Sequence, residues 1–298
     1  MSGERNKNRK RARAQAGDGG QDRPGQAERR KRREERQRFL EGEPGRGRQR
    51  PRGHERDRRR DEAGDHSNRQ PIEVAAPDFV FFHIGKTGGG SVRQFLAPLR
   101  HSWAGAGHQF DLEKVSEKWP GAPVVFFVRE PLSRFVSGFN NYRRAAEQKD
   151  KRPNTRDIIV YNIFPTANDL AEALTSDDEF TLSAAHWAMS RLGFIARHLT
   201  ANLGSPDNVD RHRDHIAFIG NFEDFVNSVE AMRAVLHLPP YLELPDDDRK
   251  AHRAPAKLPT YLSDTARAVL TDWYRADIEL YEHCIGIHHE QMAALGRG

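Results

Sequence analysis

Short apolar runs alternate with helical patterns along residues 79–285, and their order predicts an α/β protein. Three runs are rich in β-branched or aromatic residues and predict buried strands: 79–82, 123–128 and 215–220. A helical pattern follows each run, over residues 91–99, 132–148 and from about 225 to 236. Strands that alternate with helices favour a three-layer architecture, with a parallel β-sheet flanked by helices.

The remaining segments complete this outline. Further helices are predicted over residues 111–119, 167–174, 182–199 and 263–284, the third as one long amphipathic helix. Glycine-rich, polar or charged stretches predict loops over residues 100–110, 149–155, 201–212 and 246–259.

Residues 83–91, called here the lysine loop, read HIGKTGGGS and connect the first strand to its helix. In a glycine-rich turn of this kind, backbone N–H groups and the helix N-terminus attract an anion, and Lys86 adds a full positive charge. Glycine lets the backbone approach the anion without a Cβ clash. The pattern predicts a phosphate-binding loop formed by Lys86, Thr87, Gly88, Gly89, Gly90 and Ser91.

The spacing of the lysine loop differs from that of a nucleotide triphosphatase loop. The pattern G-x-x-x-x-G-K-[ST] requires a glycine where this chain has Val80, inside the strand. A kinase or triphosphatase of the same fold would also need an acid after a strand to hold magnesium, for which Glu130 or Asp224 could serve. This alternative stays open at the level of sequence.

A second motif follows the second predicted strand, with the sequence REPLSRFVS from Arg129 to Ser137. Pro131 suits the first turn of a helix. Arg129 leaves the carboxyl end of a strand, where α/β sheets bind ligands, and arginine suits bidentate contacts to phosphate. Arg134 lies on the same helix, where an arginine is often only solvated.

Together the two motifs resemble those of the sulfotransferase family. The lysine loop is similar to H-x-P-K-T-[GA]-[GS]-[TS]-[ST], with Gly85 in place of proline and Gly90 in place of threonine, and Arg129 to Ser137 matches R-[DE]-P-x-x-R-x-x-S without gaps. The resemblance implies a fold like that of P-loop NTPases and the donor 3′-phosphoadenylyl sulfate (PAPS). It further implies that the lysine loop holds the 5′-phosphosulfate and that Arg129 and Ser137 hold the 3′-phosphate.

Sulfuryl transfer to a hydroxyl needs a base for the acceptor proton and positive charge near the leaving oxygen. Lys86 suits the second role, and no metal is required because lysine and backbone dipoles can carry the developing charge. Carbohydrate sulfotransferases have a Gly-His pair that resembles Gly107-His108, which implies that His108 is the base. His101 in the same loop stays an alternative, and His83 is expected to brace the lysine loop.

Other candidates have weaker support. His186 is expected on a packed helix face, and His288-His289 on the surface. A late basic loop with Arg249, Lys250, Arg253 and Lys257 could close over the 3′-phosphate or be solvated. The resemblance implies a carbohydrate or another small acceptor, contacted from residues 101–109, 140–155 and 187–197.

Charge divides the chain unevenly. Residues 1–70 contain 23 Lys and Arg but 13 Asp and Glu, a net charge of +10, whereas the remaining 228 residues have a net charge of −5. Few large apolar residues occur before residue 72, which predicts a disordered basic tail over residues 1–72 and a sulfotransferase domain over residues 75–290. The tail could be a solvated extension, or it could bind RNA, a membrane surface, a partner or another polyanion weakly.

The remaining features of the sequence bear on the cellular compartment and on the functional class of the protein. A single cysteine, Cys284, excludes an internal disulfide framework and a cysteine-rich zinc site. The absence of a long apolar run and of a signal peptide predicts a cytoplasmic protein, of bacterial type. Two functions besides sulfotransfer stay open: a P-loop kinase or NTPase, and a non-catalytic binding protein on a degenerate scaffold. The sequence leaves the oligomeric state open.

Overall fold

The centre of the molecule is a sheet of four parallel strands in the order β2–β1–β3–β4. The computed structural model describes residues 76–99, 102–147, 155–245 and 258–297. These residues belong to one compact unit, Pro71–Gly298. The strands are β1 (Phe79–Phe82), β2 (Trp103–Ala106), β3 (Val124–Val128) and β4 (Ile216–Asn221).

Twelve α-helices surround or extend this sheet in the described ranges. The first six are α1 (Gly89–Leu96), α2 (Leu112–Lys118), α3 (Pro131–Glu147), α4 (Thr155–Ile163), α5 (Ala167–Glu172) and α6 (Glu179–Arg191). The others are α7 (Gly193–Ala196), α8 (Thr200–Leu203), α9 (Pro206–Arg211), α10 (Phe225–Val235), α11 (Asp264–Trp273) and α12 (Arg275–Ala294).

The strands are buried on both faces, as expected for a parallel sheet. Within β3, Val124, Phe126 and Val128 face one core cluster, while Val125 and Phe127 face another. Residues of α2, α8, α9 and α12 cover the first face, and residues of α1 and α10 cover most of the second. A third core lies among helices α3 to α6 and α11. The predicted α/β architecture, a parallel sheet flanked by helices, is confirmed.

The prediction of a continuous loop over residues 100–110 is wrong, because Trp103–Ala106 forms β2. These residues pair with β1 in parallel, from Trp103 opposite Phe79 to Ala106 opposite Phe82. The sequence WAGA has no β-branched residue, so its own preference for a strand is weak. The strand is stabilised by its neighbour and by Trp103, whose indole N–H donates to the carbonyl of Leu96 at 3.0 Å.

The single helix predicted over residues 182–199 is also wrong. Helix α6 begins after Asp178, whose carboxylate accepts the N–H of Thr181, and ends at Arg191. Leu192 is extended and Gly193 opens a separate short helix. The segment predicted as a loop over residues 201–212 contains the end of α8 and all of α9. Helix α4 was not predicted, and Tyr274 divides the predicted final helix into α11 and α12.

Strand β4 is one of the two edge strands of the sheet, and side chains of α12 cover its free edge. The Gln291 amide accepts the N–H of Ile219 at 2.9 Å and donates to the carbonyl of Ala217 at 3.2 Å. His288 Nδ1 lies 2.8 Å from the carbonyl of Ile219. These side chains take the place of a fifth strand. The prediction that His288 lies on the surface is therefore wrong, since it is buried.

Several predictions fall outside the described residues: the tail over residues 1–72, His101, most of the loop over residues 149–155, and the basic loop with Arg249, Lys250, Arg253 and Lys257. Among the helices that the structure describes, none has the length and apolar character needed to cross a bilayer. The domain boundaries at residues 75 and 290 stay a prediction.

Candidate active site

A cavity of about 440 Å³ lies where the carboxyl ends of all four strands meet. One residue just beyond each strand lines it: His83 after β1, His108 after β2, Arg129 after β3 and Phe222 after β4. The strand order reverses between β1 and β3, since β1 continues to β2 on one side and the chain then returns to β3 on the other. Ligands of open α/β sheets bind at such a switch point, in cavities of about 300–1,000 Å³.

The lysine loop forms one wall of this cavity. Gly88 has a φ of 83° and precedes α1, and Gly88 to Ser91 line the cavity at the N-terminal end of that helix. A Cβ on Gly88 would lie 2.6 Å from the Phe225 ring, so both conformation and space require glycine there. The first N–H groups of a helix lack intrahelical acceptors. The turn can therefore offer several N–H groups to an anion.

Thr87 belongs to the lysine loop but does not line the cavity. Its side chain is buried, and its hydroxyl donates to the carbonyl of Ile84 at 2.9 Å. The hydroxyl thus stabilises the turn, and a contact between Thr87 and a ligand would have to come from its main chain.

Lys86 lines the cavity from a left-handed backbone conformation, with a φ of 69°. Such a conformation is uncommon outside glycine and is frequent at functional sites. The Lys86 ammonium lies 5.7 Å from the centre of the Phe194 ring. Phe194 packs on Gly85, where a Cβ would lie 2.7 Å from the ring. A Cβ at residue 85 would require the Phe194 ring to shift, which favours glycine at the position where the similar motif has proline.

Arg129 connects β3 to the lysine loop. Its Nε donates to the hydroxyl of Ser133 at 2.8 Å, and its Nη1 lies 3.5 Å from the carbonyl of Lys86. The guanidinium stacks at 4.0 Å on the ring of Phe222. Burial lowers the pKa of Arg129, but an arginine starts so far above neutrality that it stays charged. Ser137, one helical turn beyond Ser133, lines the same cavity.

Arg134, considered as a solvated helix arginine, is not solvated in the structure. It is buried and does not line the cavity. Its Nε donates to the carbonyl of Gly85 at 2.9 Å, and its Nη2 donates to the carbonyl of Arg197 at 2.7 Å. Arg134 therefore connects the lysine loop to the chain that follows Phe194.

His108 lies in the histidine loop, residues 107–110, and lines the cavity next to His83 of the lysine loop. Its ring centre is 4.9 Å from that of His83 and 5.5 Å from that of Phe194, both edge to face. Burial lowers the pKa of His108; the charges of Arg197 and Arg93 act in the same direction, and the main chain of His83 opposes them. The imidazole is thus neutral at neutral pH and can accept a proton.

The acids considered for a magnesium site have other partners. The Glu130 carboxylate accepts the N–H groups of Leu132 and Ser133, at 2.9 and 2.6 Å, and so caps α3. Asp224 accepts from the side-chain amide of Asn227 at 2.9 Å. In the ranges that the structure describes, no group of three or more His, Cys, Asp or Glu residues is arranged to hold a metal ion.

An apolar wall that the sequence analysis did not predict completes the cavity. It consists of Phe222, Phe225, Val226, Leu244 and Pro245. Phe222 directly follows a strand, which is a signal that could have identified it. Asn141 and Phe194 also line the cavity and lie in segments expected to face the acceptor. His186 is elsewhere, with its ring 5.5 Å from that of Trp273.

Comparison with known proteins agrees with the position of these motifs. A family model described as the sulfotransferase family matches residues 78–283, from the residue before β1 into α12. Searches of curated proteins and of solved structures gave no significant match. The family model covers more than half of the chain and includes both motifs that face the cavity. The chain therefore belongs to the sulfotransferase family.

Proposed function

We propose that this protein transfers a sulfuryl group from PAPS to a hydroxyl of a carbohydrate or another small acceptor. The observation that supports this most is the convergence at one cavity of Lys86, Gly88 to Ser91, Arg129, Ser137 and His108. These residues provide an anion-binding turn, two cations, a hydroxyl and a neutral imidazole, which is the set that sulfuryl transfer needs.

The donor would lie along the wall formed by the lysine loop and Arg129. The N–H groups at the start of α1 and Lys86 would hold the 5′-phosphosulfate, while Arg129 and Ser137 would hold the 3′-phosphate. The ring of Phe222, already stacked on the Arg129 guanidinium at 4.0 Å, and the ring of Phe225 offer an apolar surface for adenine.

His108 would act on the acceptor from the histidine loop. Its neutral ring takes the proton of the acceptor hydroxyl as the oxygen attacks sulfur, and the bond from sulfur to the bridging oxygen of the 5′-phosphate breaks. Lys86 and the N–H groups of the lysine loop stabilise the negative charge left on that oxygen. Phe194, next to both His108 and Lys86, gives the apolar face of a sugar ring a surface on which to pack.

Two alternatives have less support. A magnesium-dependent kinase is disfavoured because the carboxylate of Glu130 caps α3 and because the family model is that of sulfotransferases. A non-catalytic scaffold was considered because Gly85 departs from the family pattern. The packing of Phe194 on Gly85 accounts for that departure without a loss of the cavity.

The test is transfer of labelled sulfuryl from PAPS to a panel of glycosides and phenols, without added metal. We expect a product with the wild-type protein and a loss of about 100-fold or more in the His108→Ala variant. His186→Ala, outside the cavity, is the matched control and should retain activity. Unchanged turnover in His108→Ala would remove this residue as the base. Absence of transfer to every acceptor, together with tight binding of 3′,5′-adenosine bisphosphate, would favour the non-catalytic alternative.

A further inference from the structure

The chain between α6 and α9, residues 193–203, contacts both loops of the cavity and is called here the brace segment. It contains α7 and α8 with a turn between them, and it is about 90 residues from the histidine loop in the sequence. The motifs assign it no role, and the family resemblance implies only that its residues up to 197 face the acceptor. The contacts of its side chains suggest one.

Arg197 and Asn202, two side chains of the brace segment, hold the main chain at His108. Asn202 Nδ2 donates to the carbonyl of His108 at 3.1 Å and to the carbonyl of Phe110 at 2.8 Å. Arg197 Nη1 donates to the same carbonyl of His108. Asn202 is only 1% exposed, so its amide cannot exchange these carbonyls for water.

The brace segment is in turn fixed to the last helix. The buried carboxylate of Asp277 on α12 accepts the N–H of Leu199 at 2.7 Å and the N–H and hydroxyl of Thr200, both at 3.1 Å. The hydroxyl of Tyr274 donates to the carbonyl of Ile195 at 3.0 Å. A segment held at several points can transmit a fixed position to the histidine loop.

The same segment also reaches the lysine loop. Phe194 packs on Gly85, and Arg134 donates to the carbonyls of Gly85 and Arg197. The lysine loop and the histidine loop thus both contact the brace segment or a residue bound to it.

We propose that Arg197 and Asn202 are positioning residues, which fix the imidazole of His108 relative to the donor held by the lysine loop. This inference rests on the proposed role of His108 as the base. A misplacement of about 1 Å of a catalytic group can lower the rate on the order of a hundredfold, which sets the size of the expected effect. Neither residue contacts the reacting atoms in this account.

The groups that face His108 determine a second readout. These are His83 after β1, Arg93 on α1, and Arg197 on the brace segment. Removal of the Arg197 charge should raise the pKa of His108, because that charge now lowers it. Removal of the Asn202 amide should leave this charge in place and act on position alone.

The experiment compares Arg197→Met and Asn202→Leu with the exposed Arg191→Met as a matched control. We expect kcat to fall about a hundredfold in the first two variants, while the Kd for 3′,5′-adenosine bisphosphate changes less than threefold. NMR of the histidine rings, assigned with His108→Ala, should show a raised pKa of His108 in Arg197→Met, and Arg197→Lys should restore the wild-type value.

Each other outcome contradicts the inference. If kcat is unchanged in both variants although His108→Ala is inactive, the brace segment does not position the base. If bisphosphate binding and kcat are lost together, the two residues have a structural role only. If Asn202→Leu does not fold, Arg197→Met, which changes a partly exposed side chain, decides the matter alone. A fully active His108→Ala would instead overturn the proposed function.

Discussion

The lysine loop and the histidine loop face the same cavity, but different parts of the chain determine their conformations. The lysine loop contains hydrogen bonds of its own, from the Thr87 hydroxyl to the carbonyl of Ile84 and from the N–H of Ser91 to the carbonyl of Gly88, and Arg134 also donates to its Gly85 carbonyl. In the histidine loop the N–H of Phe110 reaches the carbonyl of Gly107, but the carbonyl of His108 is held by Arg197 and Asn202.

This difference shows which parts of the sequence support donor binding and which support proton transfer in the proposed reaction. The proposed donor site uses a strand, a turn and a helix that are contiguous in the sequence, with Arg129 following β3. The proposed base depends on side chains about 90 residues away. A change at Lys86 or at the glycines of the lysine loop should therefore act mainly on the donor, and a change at Arg197 or Asn202 mainly on proton transfer.

The largest effect is expected from Lys86→Met, which removes the charge that we propose lies next to the leaving oxygen. Sulfuryl transfer should fall on the order of 100- to 1,000-fold in kcat, because this charge is needed most in the transition state. Binding of PAPS should weaken far less, as measured by calorimetry. Retention of full activity in Lys86→Met would show that backbone N–H groups alone suffice and would contradict the role of Lys86.

The next effect tests the connection between the two regions. Arg134→Met should leave the carbonyls of Gly85 and Arg197 without their donor in a buried place. We expect a loss of about 2–3 kcal/mol in the free energy of unfolding, measured in urea. Both bisphosphate affinity and the pKa of His108 should change, unlike in variants of either loop alone. A change confined to one of the two would show that Arg134 does not couple them.

A smaller effect is expected from Gly88→Ala, which changes the lysine loop alone. The left-handed conformation costs about 1–2 kcal/mol outside glycine, which corresponds to roughly tenfold weaker binding of the bisphosphate. The contact with Phe225 adds to this cost. Gly121→Ala is the matched control, because that glycine also has a positive φ, of 75°, but lies outside the cavity lining. Equal losses of binding in the two variants would indicate a general loss of stability.

The smallest expected effect is on the pH dependence of kcat/KM, which tests the proposed role of His108 as the base. Because burial lowers the pKa of His108, its neutral form persists below the ordinary histidine value of about 6.5. kcat/KM should therefore be constant through neutral pH and fall only as the pH drops through that lowered pKa. A pH profile that still rises above pH 7 would mean that another group is the base.

The sequence predicted the parts of the fold that depend on local pattern. Strands β1, β3 and β4 are short segments rich in Val, Ile and Phe, and each lies where the apolar pattern places it. Strand β2 could not be predicted, since WAGA becomes a strand only when β1 lies beside it. The helix break at Leu192, between Arg191 and Gly193, was missed because the apolar spacing continues across it.

The residues of the candidate site also divide into those that a local sequence motif predicts and those that depend on contacts distant in sequence. Lys86, the glycines and Arg129 lie in contiguous motifs, so sequence could bring them to one cavity, although their roles stay a prediction. No local signal predicts that Phe194 packs on Gly85 or that Arg197 and Asn202 hold the carbonyl of His108. Their contacts exist only because the brace segment crosses from Asp277 on α12 to the histidine loop. Buried contacts over such distances in sequence become visible only in the folded chain.

The most direct test of the account is calorimetric titration of the full chain with 3′,5′-adenosine bisphosphate, beside ATP with magnesium. We expect tight binding of the bisphosphate without metal, and a loss of about 10- to 150-fold in Arg129→Ala, the range for a charged hydrogen bond. The exposed Arg191→Ala is the control and should bind as the wild type does. Binding of magnesium–ATP alone, or equal binding by Arg129→Ala, would contradict the proposed donor site.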